Sequence, residues 1–86
     1  MAKPKNHPLP RFHKHQRVRY IGGDPGWDEY NIKQCMGYVT GYSEWRNEAK
    51  YSDHTYPAGY YLAVEDIGAW IWEGAFENAD MRIFVK

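Results

Sequence analysis

Apolar and polar positions alternate with a period of two in several short stretches of this chain, and nowhere do they repeat at the spacing of a long amphipathic helix. The fullest stretch is residues 59–76, GYYLAVEDIGAWIWEGAF. Tyr60, Leu62 and Val64 alternate there with Tyr61, Ala63 and Glu65. Glu65-Asp66-Ile67-Gly68 then supplies turn residues, and Ala69 to Trp72 begins a second run suited to a pleated surface. Upstream, residues 16–21 (QRVRYI) place Val18 and Tyr20 opposite Arg17 and Arg19. Residues 36–42 (MGYVTGY) place Tyr38, Thr40 and Tyr42 opposite Gly37, Val39 and Gly41. The chain closes with residues 81–86 (MRIFVK), where Met81, Ile83 and Val85 oppose Arg82, Phe84 and Lys86. The pattern predicts five short strands.

The connections are unequal. Gly22-Gly23-Asp24-Pro25-Gly26 breaks the chain after the first strand and continues as a loop through Trp27-Asp28-Glu29-Tyr30 towards Cys35. Residues 43–58 (SEWRNEAKYSDHTYPA) are the least regular part. Ser43 can cap a two-turn helix through Lys50, but a helix that short is not stable alone, so a long loop or an extended ribbon is expected. A connection of this length in a small domain points towards function. Residues 73–80 (EGAFENAD) read as a polar segment with a single helical or 3₁₀ turn.

Composition supports a mostly-β reading. The 86 residues suffice for one domain with one modest core, and the chain has only Leu9 and Leu62 as leucines but 15 aromatics. Each large ring buries roughly 150–250 Å², so a few rings replace many aliphatics. The expected interior is Val18, Tyr20, Val39, Leu62, Val64, Ile71, Phe76, Ile83 and Val85, with Tyr60 and Met81 at its ends. Cys35 reads as a small buried hydrophobe. The other strand faces hold Tyr38, Tyr42, Tyr61, Trp70, Trp72 and Phe84, a surplus that suits a partner surface, a homodimer or cover by the chain's own loops.

Charge divides the chain. Residues 1–19 hold six bases (Lys3, Lys5, Arg11, Lys14, Arg17, Arg19) and no acid, whereas residues 20–86 hold five bases against 11 acids, a net −6. With Pro4, Pro8 and Pro10, residues 1–15 read as an extended basic arm on an acidic body spanning 16–86. Such an arm suits nucleic acid or an acidic protein surface, or it is a solvated tail that folds back over its own acidic body. Asp24, Asp28 and Glu29 beside Trp27 and Tyr30 suit a clasp for a cationic side chain; alternatively Trp27 caps the core and the acids are solvated.

No run approaches the ~20 apolar residues of a membrane span, and the N-terminus lacks the apolar stretch of a secretory signal. With a lone cysteine, these features suit a reducing, cytoplasmic compartment. A phosphate-binding glycine loop, a HExxH run and a nucleophile elbow are all missing, so a non-enzyme without metal or other cofactor is expected. His13 and His15 have no nearby carboxylate or cysteine in the sequence and read as a chance pair.

The strand RVRYI, the long loop, MGYVTGY, YYLAVED, GAWIWEGAFE and the closing strand together resemble an SH3-like small β-barrel over residues 16–86. GYVTG is similar to the Gly-x-Val-x-Gly run of KOW-type barrels. The resemblance implies an all-β, five-stranded SH3-like small barrel with one long loop and a short helical turn before the last strand. For the peptide-binding branch it implies a proline-rich ligand held by ring-lined slots and an acidic loop. Asp24, Asp28, Glu29, Trp27 and Tyr30 match that loop. Trp72 stands where a proline is expected, and the first strand lacks the alanine-leucine-tyrosine-aspartate-tyrosine signature. The Tudor-like branch implies an aromatic cage. Small stand-alone proteins of this kind also resemble bacterial and phage accessory proteins that bind a larger protein.

Three functional expectations follow. The first is an interaction module contacting a protein partner through Asp24, Trp27, Asp28, Glu29, Tyr30, Tyr61, Trp70 and Trp72. The second is a nucleic-acid binder using the six bases of the arm. The third is a subunit of a larger assembly whose arm threads a neighbour.

Overall fold

The computed structural model describes residues 7–81. The elements in chain order are β1 (Arg17–Tyr20), α1 (Pro25–Asp28), β2 (Met36–Tyr42), β3 (Ala49–Tyr51), β4 (His54–Tyr56), β5 (Tyr61–Val64), β6 (Gly68–Trp72), a 3₁₀ turn (Glu73–Ala75) and β7 (Phe76–Asn78). The domain is mostly β. Its main sheet is antiparallel in the order β6-β5-β2-β1-β7, and β3 and β4 form a separate two-stranded ribbon.

β1, β2, β5 and β6 lie where alternation puts them. Closure into a barrel does not occur among the described residues, where β6 and β7 are edges. The predicted strand over 81–86 falls outside the described residues except for Met81, which is exposed rather than at the end of the core. The turn expected over 73–80 is confined to residues 73–75. Phe76 then starts β7, whose pairing with β1 is Tyr20↔Phe76 and Val18↔Asn78.

β2 joins the two halves of the sheet. It pairs with β1 through its first half and with β5 through its second, with one extra residue inserted between Val39 and Gly41. Such a bulge bends a strand and increases its twist. At Gly37 the reason for glycine is close approach, because a β-carbon would overlap the carbonyl oxygen of Glu65. The core gathers Phe12, Val18, Tyr20, Val39, Leu62, Val64, Ile71, Ala75 and Phe76, with Tyr20 edge-on to Phe76 at 5.4 Å. Cys35, expected inside, is exposed.

Residues 7–15 do not stand off as an extended arm; they fold back on the body, the second of the two readings of this segment. Phe12 inserts into the core, the Arg11 amide donates to the Glu73 carboxylate (3.2 Å), and the His15 amide donates to the Val39 carbonyl (2.6 Å). Further out, His7 stacks on Trp45 at 4.2 Å, and the Tyr60 hydroxyl donates to the Pro8 carbonyl (2.9 Å). Backbone donors and a buried ring hold this segment; its prolines do not detach it.

Candidate functional site

The site begins with a misfit in β6. Leu62 faces Ile71 and Val64 faces Gly68, so β6 spends three steps where β5 spends two. The extra residue lies at Ala69–Trp70, and Trp70 has φ +62°. Left-handed backbone is uncommon for a bulky side chain and costs roughly 1–2 kcal/mol. Bulges of this kind re-aim a side chain, and here the indole stands 51% exposed on the outer face of the sheet.

Arg46 lies against that ring. Its backbone is fixed by a reciprocal pair of hydrogen bonds with Gly59, both 2.9 Å. Its guanidinium carbon sits 5.4 Å from the Trp70 ring and 5.2 Å from that of Tyr61, within reach of a cation–π contact with each. Tyr61 is fixed in turn by its hydroxyl, which donates to the Pro57 carbonyl at 2.7 Å. Burial pushes the Tyr61 phenol up to about 12, so it stays a neutral donor through the physiological range.

The β3–β4 ribbon makes the opposite wall. Lys50 pairs with Thr55 and Tyr51 with His54, and Ser52 turns the chain with φ +50°. Tyr51 and Tyr56 meet edge to face at 5.9 Å. Tyr56 lies directly over Gly26 of α1, where a β-carbon would come within 2.8 Å of its hydroxyl. Arg46, Asn47, Ala49, Tyr51, Tyr56, Tyr61 and Trp70 together line a concavity of about 490 Å³. That volume lies in the range of ligand sites, roughly 300–1,000 Å³.

The sequence-predicted contact residues do not gather in one place. Trp70 and Tyr61 both line the concavity, but Tyr61 is its buried floor rather than an exposed ring. In β5, Tyr61, Leu62 and Val64 are buried and Ala63 is half-buried, as is Tyr60 just before the strand. Trp72 is also a packing residue. Its indole lies against Gly23, Gly59 and Gly74, and its Nε1–H donates to the Ala58 carbonyl at 3.1 Å. Trp27 packs over Gly68 and against the core.

The acidic loop is largely internal wiring. Asp24 is 1% exposed and caps α1, accepting from the Gly26 amide (2.9 Å) and, with its other oxygen, from the Trp72 amide (2.8 Å). Burial raises its pKa against the lowering effect of those amides. Asp28 accepts from the Tyr20 hydroxyl (2.6 Å) and the Gly23 amide (3.0 Å). Burial, and then the Asp28 carboxylate, hold the Tyr20 phenol well above its usual range. Glu29 and Tyr30 remain exposed but do not line the concavity.

The bases of the arm are dispersed as well. Arg19 pairs with Glu77, Arg17 lies over the Tyr38 ring at 5.9 Å, and Arg11 lies over Phe12 at 5.1 Å. Lys14 is exposed, and Lys3 and Lys5 lie outside the described residues. Residues that sequence reading left out of the site are Arg46, Asn47, Ala49, Tyr51 and Tyr56, all from the long 43–58 connection. Their signal was the alternation around Tyr51-Ser52-Asp53-His54, which is that of a short hairpin. Comparison with known proteins finds no matching family model, curated protein or solved structure.

Proposed function

We propose that this protein is a non-catalytic interaction module that binds a larger protein through the concave aromatic site between β6 and the β3–β4 ribbon. The single observation carrying this reading is Trp70: a bulky ring kept exposed by a left-handed bulge whose cost the fold meets elsewhere. Strain of this kind concentrates at clamps and binding sites, and Trp, Tyr and Arg are the side chains that dominate interface energetics. The neighbouring β6 edge gives an incoming chain a place to lie alongside the rings. The dispersal of the arm's bases favours a protein partner over a nucleic-acid track, which needs phosphate contacts in a row.

We read the architecture behind this module as an SH3-like small barrel. The strand order β6-β5-β2-β1-β7, the bend in β2 and the 3₁₀ turn between β6 and β7 support that reading.

The test compares two exposed tyrosines. Wild-type protein, Tyr51→Ala and Tyr30→Ala are immobilised and challenged with an extract of the native cell, and the captured partner is then titrated against each. Tyr51→Ala is expected to weaken the partner at least about tenfold, close to 1.4 kcal/mol, while unfolding shifts by no more than about 0.5 kcal/mol. Tyr30→Ala is expected to change neither. An unaffected partner with Tyr51→Ala would move the interface off this site.

A further inference from the structure

We infer that the concave site recognises a carboxylate carried beside an aromatic or aliphatic group on the partner, with Arg46 as its anion receptor. This rests on reading the concavity as a protein-binding site and adds the chemistry of what enters it. A guanidinium whose flat face lies along rings keeps its N–H groups directed outward around its edge, where they suit the paired oxygens of a carboxylate. The Arg46 guanidinium carbon lies over two rings, 5.2 Å from the Tyr61 centroid and 5.4 Å from the Trp70 centroid. It forms no ion pair with any carboxylate among the described residues. Its backbone is held by Gly59 and its guanidinium rests over two rings, which limits where the charge can go before a ligand arrives.

Charge supplies the selection. Residues 20–86 carry all 11 acids of the chain, yet none of them lines this concavity; its polar groups come from Arg46, Asn47 and the tyrosines Tyr51, Tyr56 and Tyr61. The site is therefore a local donor-rich recess on an otherwise acidic body. Tyr51, Tyr56 and Trp70 give an adjoining apolar wall, so the favoured ligand has both an anion and a flat or branched body. A single nucleotide shares part of that chemistry. The one lining cation favours a single carboxylate over a polynucleotide, which draws its affinity from several phosphates.

Two-dimensional NMR of the full chain tests this with small probes, reading the Trp70 indole N–H and the Arg46 side-chain N–H. The probes are N-acetylphenylalanine, which offers a chain-terminal carboxylate; a blocked Phe-Glu dipeptide, which offers only a side-chain carboxylate; neutral N-acetylphenylalaninamide; and thymidine monophosphate. The expected result is saturable shifts of both signals with at least one carboxylate probe, and roughly tenfold weaker binding of the neutral amide. The tighter of the two acids names the source. Arg46→Gln is expected to erase the preference for acid over amide, and Arg46→Lys to keep part of it, with the spectra of both variants remaining dispersed. Equal affinity for acid and amide on the wild type would overturn the inference, as would tighter binding of the nucleotide or no shift of the Trp70 signal. Equal affinity would leave the aromatic module standing, whereas partner capture indifferent to Tyr51→Ala would remove the module itself.

Discussion

Replacing Phe12 by Ala is expected to lower the unfolding free energy by about 3 kcal/mol or more, whereas replacing Leu9 by Ala changes it by less than about 0.5 kcal/mol. Both residues sit in a proline-containing, basic segment that reads as a tail. Phe12 is 4% exposed and belongs to the core with Val18, Tyr20 and Phe76, while Leu9 is 85% exposed. Truncating a buried ring removes its transfer free energy and leaves a cavity that a small core cannot close. A chain of this length has of the order of 4–13 kcal/mol of stability to lose, so the change is large. Urea unfolding of the two variants checks it. A loss below about 1 kcal/mol for Phe12→Ala would mean that the segment lies on the surface.

Asp24→Ala is expected to cost about 2–4 kcal/mol, and Asp24→Asn clearly less. The carboxylate caps α1 through the Gly26 amide and reaches across to the Trp72 amide, so alanine removes a helix cap and orphans a strand donor together. Asparagine keeps one oxygen for one of those amides. The pH dependence has a definite sign. Burial raises the folded-state pKa of Asp24, so the folded protein holds this proton more tightly than the unfolded chain. As pH falls through that raised value towards the ordinary carboxylate range, wild type should gain stability relative to Asp24→Asn, and it should lose the gain as pH rises again. Thermal unfolding of the pair at neutral and mildly acidic pH measures it; a gap that moves the other way would contradict the burial.

Alternation was a good guide to β1, β2, β5 and β6 because each presents at least one apolar face to a single core. It failed at Tyr61 for a physical reason. A period of two says which residues share a face but not whether a second layer covers the other one, and here Tyr56 and Arg46 of the 43–58 segment border the outer face of β5. Phe12 had no periodic partner in sequence, so nothing local marked it as core. Asp24 was legible in principle: an acid directly before Pro25 at the first helical position is a cap signature, which reading these acids as a clasp or as solvated groups passed over. The bulge that aims Trp70 left no local mark, since Ala69-Trp70-Ile71 reads as ordinary strand. Register against β5 makes it, and register is a tertiary property.

That bulge also provides the sharpest test of the interaction site. Glycine at position 70 relieves a left-handed backbone cost of roughly 1–2 kcal/mol and forfeits a cation–π contact of roughly 0.5–1 kcal/mol with Arg46. Trp70→Gly should therefore unfold within about 1 kcal/mol of wild type while its affinity for the captured partner falls at least about thirtyfold, the loss of a 2 kcal/mol hot spot. Unchanged affinity in a folded Trp70→Gly protein would contradict the assignment of this site.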